Sequence, residues 1–424
     1  MYKKFTLNNG IKVIAEKIHH VRSTSIGVWI NTGSIYETFS NNGVSHFIEH
    51  MLFKGTFKRT AKEIASSIDS LGGQLNAFTS KECTCYYSKV LDSHIDIAVD
   101  ILSDMLLNSK FDDKDILKEK SVICEEISMY EDSPEDLVYD SLSKTIFHKH
   151  SLGFPILGTH KSIGPLSKDN MLDFMENNYN SDNIVIAIAG SFEEEHLIEE
   201  LNKKFGQYKF RPGIKKAIDK PVFHSNYTYT NKDIEQVHLC IGFEGVPNDE
   251  ESLYPLLILN NVFGGSMSSR LFQTIREEHG LAYSIYTHPS LYNDFGLFTT
   301  YASLNPSQLT KTIQLIIDET KELTNNYITE EELRCSKEQL KGNYILGLES
   351  TSSIMTMLGK SEIFGKKIRT QEDVLKGIDK VNMVDMEKII NKIFRDKKVS
   401  LSLVGKLDET TTRKSFEYIK NRLI

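Results

Sequence analysis

The sequence has no apolar run long enough to cross a bilayer. A membrane-spanning helix needs about 18 or more consecutive apolar residues, and no stretch of the chain reaches that length. The first residues, MYKKFTLNNGIKVIAEK, also lack the apolar core of a signal peptide. We therefore expect a cytoplasmic protein with no membrane contact. Proline is scarce, with 9 residues, and there is no low-complexity segment, so a folded chain is expected.

Cysteine and excess positive charge are scarce too. The cysteines are odd in number and scattered, which argues against a disulfide framework and fits a reducing compartment. They are Cys83, Cys85, Cys124, Cys240 and Cys335. The CxC pair formed by the first two has no second pair beside it, so it indicates buried thiols rather than a metal site. The net charge of −8 and the sequence pI of about 5.9 argue against a nucleic-acid-binding surface.

The length of the chain, 424 residues, is too great for one ordinary hydrophobic core, so more than one domain is expected. The best candidate for a linker is the segment 206–219, GQYKFRPGIKKAID, because it combines a Pro-Gly dipeptide with a charge run and little periodicity. We predict an N-terminal domain at 1–208, a linker at 209–222 and a C-terminal domain at 223–424.

The same order of patterns occurs on both sides of this linker. In the first half a strand pattern at 84–91 leads into an amphipathic helix at 95–107, and in the second half 297–303 leads into 309–323. Two more strand patterns correspond, at 24–30 and at 237–243. The offset stays at about 212 to 217 residues, which indicates a duplicated α/β unit rather than two unrelated domains.

Residues 46–50 read HFIEH, which places two histidines four positions apart. Apolar residues around the motif recur at helical spacing and predict a buried stripe, with His46 and His50 together on an adjoining face. The stripe consists of Val44, Phe47, Ile48, Met51 and Leu52. Two imidazoles one turn apart can reach one cation, with Glu49 beside its open coordination position. The alternative is two surface histidines, and a third ligand would decide, since catalytic zinc generally uses three protein ligands.

The helix predicted at 115–131, DILKEKSVICEEISMYE, supplies candidates for the third ligand. Its periodicity places Glu119 and Glu126 on one stripe with Val122 and Met129, whereas Glu125 lies on a polar stripe. We therefore predict that Glu125 is solvated and that the other two carboxylates lie on an apolar face. An unpaired charge is costly there, and a metal site provides a partner. The alternative for Glu126 is an ordinary surface acid.

Three segments, HFIEHMLFKGT, LNAFTSKECTCYYSKVL and EKSVICEEISMYEDSPED, resemble the pitrilysin and mitochondrial processing peptidase family of inverted zinc peptidases, in its bacterial processing-peptidase-like branch. The similarity runs through nearly the whole chain. The family pattern has a glutamate about 76 residues after the second histidine and an acidic residue seven before it, and Glu126 and Glu119 match both positions. We predict an α+β fold of two duplicated domains of about 210 residues, each a mostly antiparallel β-sheet packed against helices.

The resemblance implies a role for each residue of this constellation. His46, His50 and Glu126 would bind zinc, one ion per chain, and Glu49 would be the general base. Glu119 would orient a ligand histidine without touching the metal. The implied reaction is peptide-bond hydrolysis by a zinc-activated water, with Glu49 carrying the proton to the leaving amine.

Two more sets of residues follow from the resemblance. Arg276 and Tyr283, in SSRLFQTIREEHGLAYSIY, are similar to an arginine and tyrosine pair that faces the zinc from another domain; the alternative is a surface arginine and a core tyrosine. The segment LGGQLNAFTSKE resembles the family's edge strand, on which a peptide substrate adds as an extra strand. Asn76, Ala77 and Phe78 are the expected substrate contacts, with core packing as the alternative for Phe78.

Family members of this length enclose their substrate in a chamber made by two double-domain chains. The resemblance therefore implies a homodimer in which Arg276 and Tyr283 serve the partner's zinc. The predicted activity is that of a zinc-dependent endopeptidase acting on oligopeptides or on presequence-like segments. The alternative is a non-catalytic scaffold or partner subunit of the same fold, but such proteins typically lose motif residues and all of them are present here.

Overall fold

The computed structural model describes residues 2–211, 218–395 and 398–423. Within them the chain forms two compact units, each discontinuous in sequence. Unit 1 consists of Met1–Ser128, Phe154–Ile218 and Leu346–Ile368, and unit 2 of Met129–Gly153, Asp219–Ile345 and Arg369–Ile424. Part of the predicted linker, at 212–217, lies outside the described residues.

The regular elements are numbered in chain order. The strands are β1 (Tyr2–Thr6), β2 (Lys12–Lys17), β3 (Ser23–Ile30), β4 (Gln74–Thr79), β5 (Thr84–Leu91), β6 (Ile184–Gly190), β7 (Tyr227–Asn231), β8 (Val237–Glu244), β9 (Ala282–Leu291), β10 (Gly296–Leu304) and β11 (Val399–Gly405). The helices are α1 (Val44–Leu52), α2 (Ala61–Asp69), α3 (Ile95–Asn108), α4 (Asp113–Asp132), α5 (Pro134–Phe147), α6 (His160–Ile163), α7 (Lys168–Asn178), α8 (Glu194–Lys204), α9 (Glu250–Phe263), α10 (Leu309–Asn326), α11 (Glu330–Gly347), α12 (Thr351–Ile363), α13 (Gln371–Lys380), α14 (Met383–Phe394) and α15 (Glu409–Leu423). A π-helical segment covers Phe272–Glu278.

Unit 1 is built on a six-stranded sheet with the order β1-β2-β6-β3-β5-β4. Neighbouring strands are antiparallel except for the parallel pair of β2 and β6. Strand β3, STSIGVWI, is rich in β-branched and aromatic residues and is buried almost throughout, as expected of a central strand covered on both faces. Strand β4 pairs with β5 and lies at the end of the sheet.

Both faces of this sheet carry helices. Side chains of α1 and α3 join Ile26 and Val28 in the larger core cluster on one face. On the other face α12 packs against β2, β3 and β6 and contributes Met355 to a second cluster around Trp29. The approach is so close that a Cβ on Gly359 would lie 2.2 Å from the indole nitrogen of Trp29. Only glycine fits at that contact.

Unit 2 repeats the arrangement without the outermost strand. Its sheet has the order β7-β11-β8-β10-β9, with β7 and β11 parallel and the other pairs antiparallel. This is the pattern of β2-β6-β3-β5-β4 in unit 1. The helices that follow correspond as well, since α3 follows β5 as α10 follows β10. The predicted α+β fold with two duplicated, mostly antiparallel sheets is therefore confirmed.

The packing units differ from the predicted continuous domains in one respect. Helix α5, from the first half of the chain, packs against β7, β8 and β11 of unit 2, while α12, from the second half, packs against the sheet of unit 1. Each half of the sequence thus contains one sheet, but each sheet is covered on one face by a helix from the other half. The sequence does not reveal this exchange, because an apolar helix face does not specify which sheet it covers.

Two predictions based on scarcity can be compared with the structure. In the part of the chain that the structure describes, no helix is long and apolar enough to cross a membrane. All five cysteines are free thiols, and Cys83 and Cys85 are buried in the cluster around Trp29. Burial raises the pKa of both thiols, which disfavours the thiolate that a metal would need.

Candidate metal centre

Helix α1 holds the HFIEH motif in the interior of unit 1. The predicted apolar stripe is confirmed, since the side chains of Val44, Phe47, Ile48, Met51 and Leu52 are each at most 1% exposed. His46 is also buried, and His50 is partly exposed one turn later. Their ring centroids lie 4.6 Å apart. The helix therefore presents two imidazoles side by side, as the spacing predicts.

The start of α1 is fixed by a buried carboxylate. Gly43 precedes the helix with φ +93°, a conformation that favours glycine. Glu37 lies on the preceding turn and is 5% exposed. Its Oε2 accepts hydrogen bonds from the backbone N–H of Gly43 (2.7 Å) and the side-chain amide of Asn42 (2.9 Å), and its Oε1 from the N–H of Ser45 (2.9 Å). Glu37 thus satisfies first-turn N–H groups that the burial of α1 removes from water.

Glu126 of α4 completes a three-residue cluster with the two histidines. One ligand atom from each of His46, His50 and Glu126 lies within 4.8 Å of the other two. The Oε2 atom of Glu126 is 3.8 Å from Nε2 of His46 and 3.5 Å from Nε2 of His50. Ligands about 2.1 Å from a tetrahedral zinc ion are about 3.4 Å apart. The cluster therefore has the donor types and the spacing that could hold such an ion.

Glu119, one turn before the middle of α4, orients His50. Its Oε2 lies 3.1 Å from Nδ1 of His50 and its Oε1 lies 2.7 Å from the ammonium of Lys54. The Glu119 side chain is only 1% exposed, so its charge depends on these two partners. When the ring is neutral with its proton on Nδ1, His50 donates to Glu119 and its Nε2 lone pair faces Glu126, whereas the protonated ring donates to both carboxylates.

The surroundings of the two histidines shift their pKa values in opposite directions. Burial lowers the pKa of His46 to about 4, and the neighbouring His50 adds to the shift. Burial acts in the same sense on His50, but hydrogen bonds with Glu126 and Glu119 outweigh it, so its pKa is raised. The hydrogen bond from His50 in turn lowers the pKa of Glu126. At neutral pH the His46 side chain is therefore neutral and the Glu126 side chain is anionic.

Glu49 lies beside this cluster with one carboxylate oxygen held. Its Oε2 accepts a hydrogen bond of 2.5 Å from the hydroxyl of Thr79, the last residue of β4. Burial raises the pKa of Glu49, and the hydrogen bond from Thr79 opposes that shift. A raised pKa brings a carboxylate closer to the range that suits proton transfer near neutral pH.

Helix α4 presents its carboxylates partly as expected. Glu119 is buried, Glu126 is half-buried and Glu125 is exposed. The apolar residues of their stripe are largely uncovered, however, because Val122 is 43% exposed and Met129 is 71% exposed. The period of a helix gives the angle of each side chain but not what covers it, and here only part of the stripe is covered.

The predicted substrate-contact residues lie on β4. Asn76 is exposed, and its side chain accepts a hydrogen bond from the N–H of Ala77. Ala77 faces the larger core cluster. Phe78 points to the opposite face, where its ring packs edge-on against Trp29 at 5.6 Å. Core packing therefore accounts for Phe78, and Asn76 is the most accessible of the three.

Arg276 and Tyr283 are neighbours within unit 2. Arg276 belongs to the π-helical segment, and its guanidinium carbon lies 5.3 Å from the ring centre of Tyr283 and 4.8 Å from that of Phe272. Tyr283, on β9, is 75% exposed. The prediction of a core tyrosine as the alternative is thus wrong, since the ring is open to solvent and is held against a cation.

Three residues of this site were not identified from the sequence. Glu37 contacts α1 from six positions before Gly43, outside any helical period. Lys54 is contained in HFIEHMLFKGT, where it reads as an ordinary surface lysine. Thr79 could have been identified from the sequence, because strand alternation places it on the same face of β4 as Leu75 and Ala77.

The sheet topology, the HxxEH helix and a glutamate from a second helix define an inverted zinc-peptidase type of centre. The chain belongs to Peptidase family M16. Residues 12–160 match the family model described as insulinase (Peptidase family M16), and residues 165–340 match the model described as Peptidase M16 inactive domain.

Relatives agree over almost the full length. The chain is 45% identical to a Bacillus subtilis protein named uncharacterized zinc protease YmxG, over 93% of this chain and 96% of the relative. It is 36% identical to the Streptomyces coelicolor protein named uncharacterized zinc protease SCO5738, over 96% and 90%. Among solved structures, a protease from Helicobacter pylori is similar with a TM-score of 0.88 at 21% identity, over 96% of this chain and 99% of that one. At this identity the structural likeness shows the fold alone.

Proposed function

We propose that the chain is a zinc-dependent endopeptidase that binds one zinc ion through His46, His50 and Glu126. The observation that carries the proposal is the convergence of ligand atoms from these three side chains within 4.8 Å, beside the Glu49 carboxylate, which interacts electrostatically with His50 and Glu126. Two imidazole nitrogens and one carboxylate oxygen are the donor set of catalytic zinc sites that keep a fourth position open. The names of the relatives, which call them zinc proteases, support the choice of metal.

The residues of the site divide the chemistry between them. Bound zinc would supply Lewis-acid chemistry, polarising the scissile carbonyl and making water more acidic. Glu49 takes a proton from the attacking water and returns it to the leaving amine. Glu119, balanced by Lys54, keeps Nδ1 of His50 protonated and Nε2 free to bind the metal.

The proposed substrate is a peptide that adds as a strand to the outer edge of β4. Main-chain hydrogen bonds at a sheet edge accept many side chains, so both oligopeptides and presequence-like segments qualify. Asn76, Ala77 and Phe78 belong to this strand, and their main-chain groups would provide the expected contacts, since the Phe78 side chain packs against Trp29. Tyr283 and Arg276 are proposed to stabilise the negative charge that develops on the carbonyl oxygen.

Zinc content and cleavage of a mixed peptide library test the proposal. Wild type and Glu49→Gln should both bind one zinc per chain, and the variant should lose roughly 10²- to 10⁴-fold in cleavage rate. Glu126→Gln should lose zinc, while Glu125→Gln, which changes the exposed neighbour, should keep both zinc and activity. A zinc-loaded wild type that cleaves no peptide would contradict the peptidase assignment and favour the scaffold alternative.

We further propose that the enzyme is a homodimer with an enclosed chamber in which Arg276 and Tyr283 serve the partner's zinc. Mixed dimers of Glu49→Gln and Tyr283→Phe chains should regain part of the activity that each variant alone lacks. The control is each variant mixed with itself under the same conditions. Absence of complementation in verified mixed dimers would count against the shared site.

A further inference from the structure

The end of the edge strand touches the proposed general base. Strand alternation places Leu75, Ala77 and Thr79 on the face of β4 that looks toward α1, and the first two join the core cluster that contains the buried side of α1. The last residue on this face is not apolar like the first two: it is Thr79, which carries a hydroxyl. That hydroxyl donates to Oε2 of Glu49 at 2.5 Å.

This contact restricts a side chain that has three rotatable bonds. A glutamate on a helix next to an open coordination position can occupy several rotamers, only some of which face the reacting water. With Oε2 held by Thr79, the second oxygen, Oε1, has a defined direction for proton transfer. A general base works only within hydrogen-bond reach of the proton it takes, so the orientation bears directly on the rate.

The same residue belongs to the strand on which the peptide would add. In the described part of the sheet, β4 pairs with β5 on one side, and its other edge is the outermost of the sheet. A peptide that pairs there fixes the main chain of β4, and with it the position of the Thr79 side chain. Thr79 therefore belongs to the strand that would bind the substrate and also contacts the proposed general base.

We propose that Thr79 is a positioning residue that aligns the Glu49 carboxylate and couples it to peptide binding on β4. The inference rests on the proposed peptidase function. It assigns Thr79 a role in kcat rather than in KM, because the main-chain groups that pair with a peptide do not depend on the side chain.

Three variants test the assignment. Thr79→Val removes the hydroxyl at nearly constant volume and should lower kcat about 10- to 100-fold, with KM and zinc content within about twofold of wild type. Thr79→Ser keeps the hydroxyl and should retain most of kcat. The matched control is Thr84→Val, because Thr84 pairs with Thr79 across β4 and β5 but donates its hydroxyl to the carbonyl of Thr32. That variant should keep the wild-type kcat.

Crystal structures of the zinc-loaded wild type and Thr79→Val provide a readout that does not depend on activity. The Glu49 carboxylate should occupy one position in the wild type and should turn away from β4 or divide between rotamers in the variant. An unchanged Glu49 in the variant, an unchanged kcat, or an equal loss in Thr84→Val would each overturn the inference. If the wild type cleaves no peptide, the proposed function fails, and the Glu49 positions alone decide whether Thr79 holds that side chain.

Discussion

Glu37→Gln should loosen the start of the helix that carries both histidines. Glu37 accepts three hydrogen bonds with two oxygens, whereas glutamine offers one acceptor oxygen and a donor amide. The NH₂ group of the glutamine must then take the place of one carboxylate oxygen. It faces either the N–H of Ser45 or the two donors from Gly43 and Asn42. Losing one charge-assisted bond costs about 1.5–3 kcal/mol and leaving a buried N–H unpaired about 1–3 kcal/mol. The neutral amide is easier to bury and offsets part of this, so we expect a net cost of about 3 kcal/mol.

Hydrogen exchange in α1 is the suitable assay, because a chain with two compact units need not unfold in one step. A cost of about 3 kcal/mol corresponds to roughly 100-fold faster exchange of amides that open locally. Zinc affinity, measured by chelator competition, should fall about 10- to 100-fold because the ligand helix is less well held.

The matched control is Glu63→Gln at the start of α2, where an exposed glutamate accepts from the N–H of Thr60 in a capping box. Glutamine also serves in a capping box, so this variant should stay close to wild type. If Glu37→Gln matched wild type in both exchange and zinc affinity, the reasoning about the buried cap would be refuted.

Three other outcomes follow from the structure. Lys54→Met removes the cation from the buried carboxylate that orients His50, and zinc affinity should fall by about 10-fold in chelator competition. Zinc must displace a proton from His50, whose pKa is raised, so affinity should increase about 10-fold per pH unit and level off once the pH exceeds that pKa; a flat titration from pH 5 to 8 would contradict this. Gly359→Ala pushes a methyl group into Trp29 and should destabilise unit 1 by about 1–3 kcal/mol in urea unfolding. The control is Gly342→Ala, inside α11, where no described atom lies within 4 Å of the added Cβ. That variant should be neutral or stabilising.

The sequence was informative where a short period determines the geometry. The stripe from Val44 to Leu52 fixed which side of α1 is buried, and it put His46 and His50 together on the remaining face. The same reasoning chose Glu126 over Glu125, and the structure brings Glu126 to the histidines. The choice succeeded although the stripe itself is only partly covered, because the angle between Glu126 and Glu125 does not depend on what covers either of them.

Contacts between segments that are distant in sequence could not be predicted, because no short period determines them. Nothing in the apolar pattern of α12 distinguishes the sheet of unit 1 from that of unit 2, and the glycine that fits against Trp29 reads in sequence only as a weak helix position. The cap of Glu37 on α1 is equally invisible, since it depends on a turn that carries the carboxylate back to the helix start. Such contacts are set by tertiary packing rather than by local propensity.

The corresponding helix of unit 2, α9, shows why α1 needs the cap that Glu37 provides. Helix α9 begins with an ordinary N-cap, in which the Asp249 side chain accepts from the N–H of Ser252. The N-cap position of α1 is Gly43, which has no side chain to accept a hydrogen bond, and seven of the nine residues of α1 are buried. Water cannot satisfy its first turn, so a carboxylate from outside the helix must do so. A negative charge at that end also stabilises the helix dipole. The same duplicated unit therefore has a self-contained cap on α9, and a cap from outside the helix on α1, where the two histidines of the proposed zinc site must be held in register.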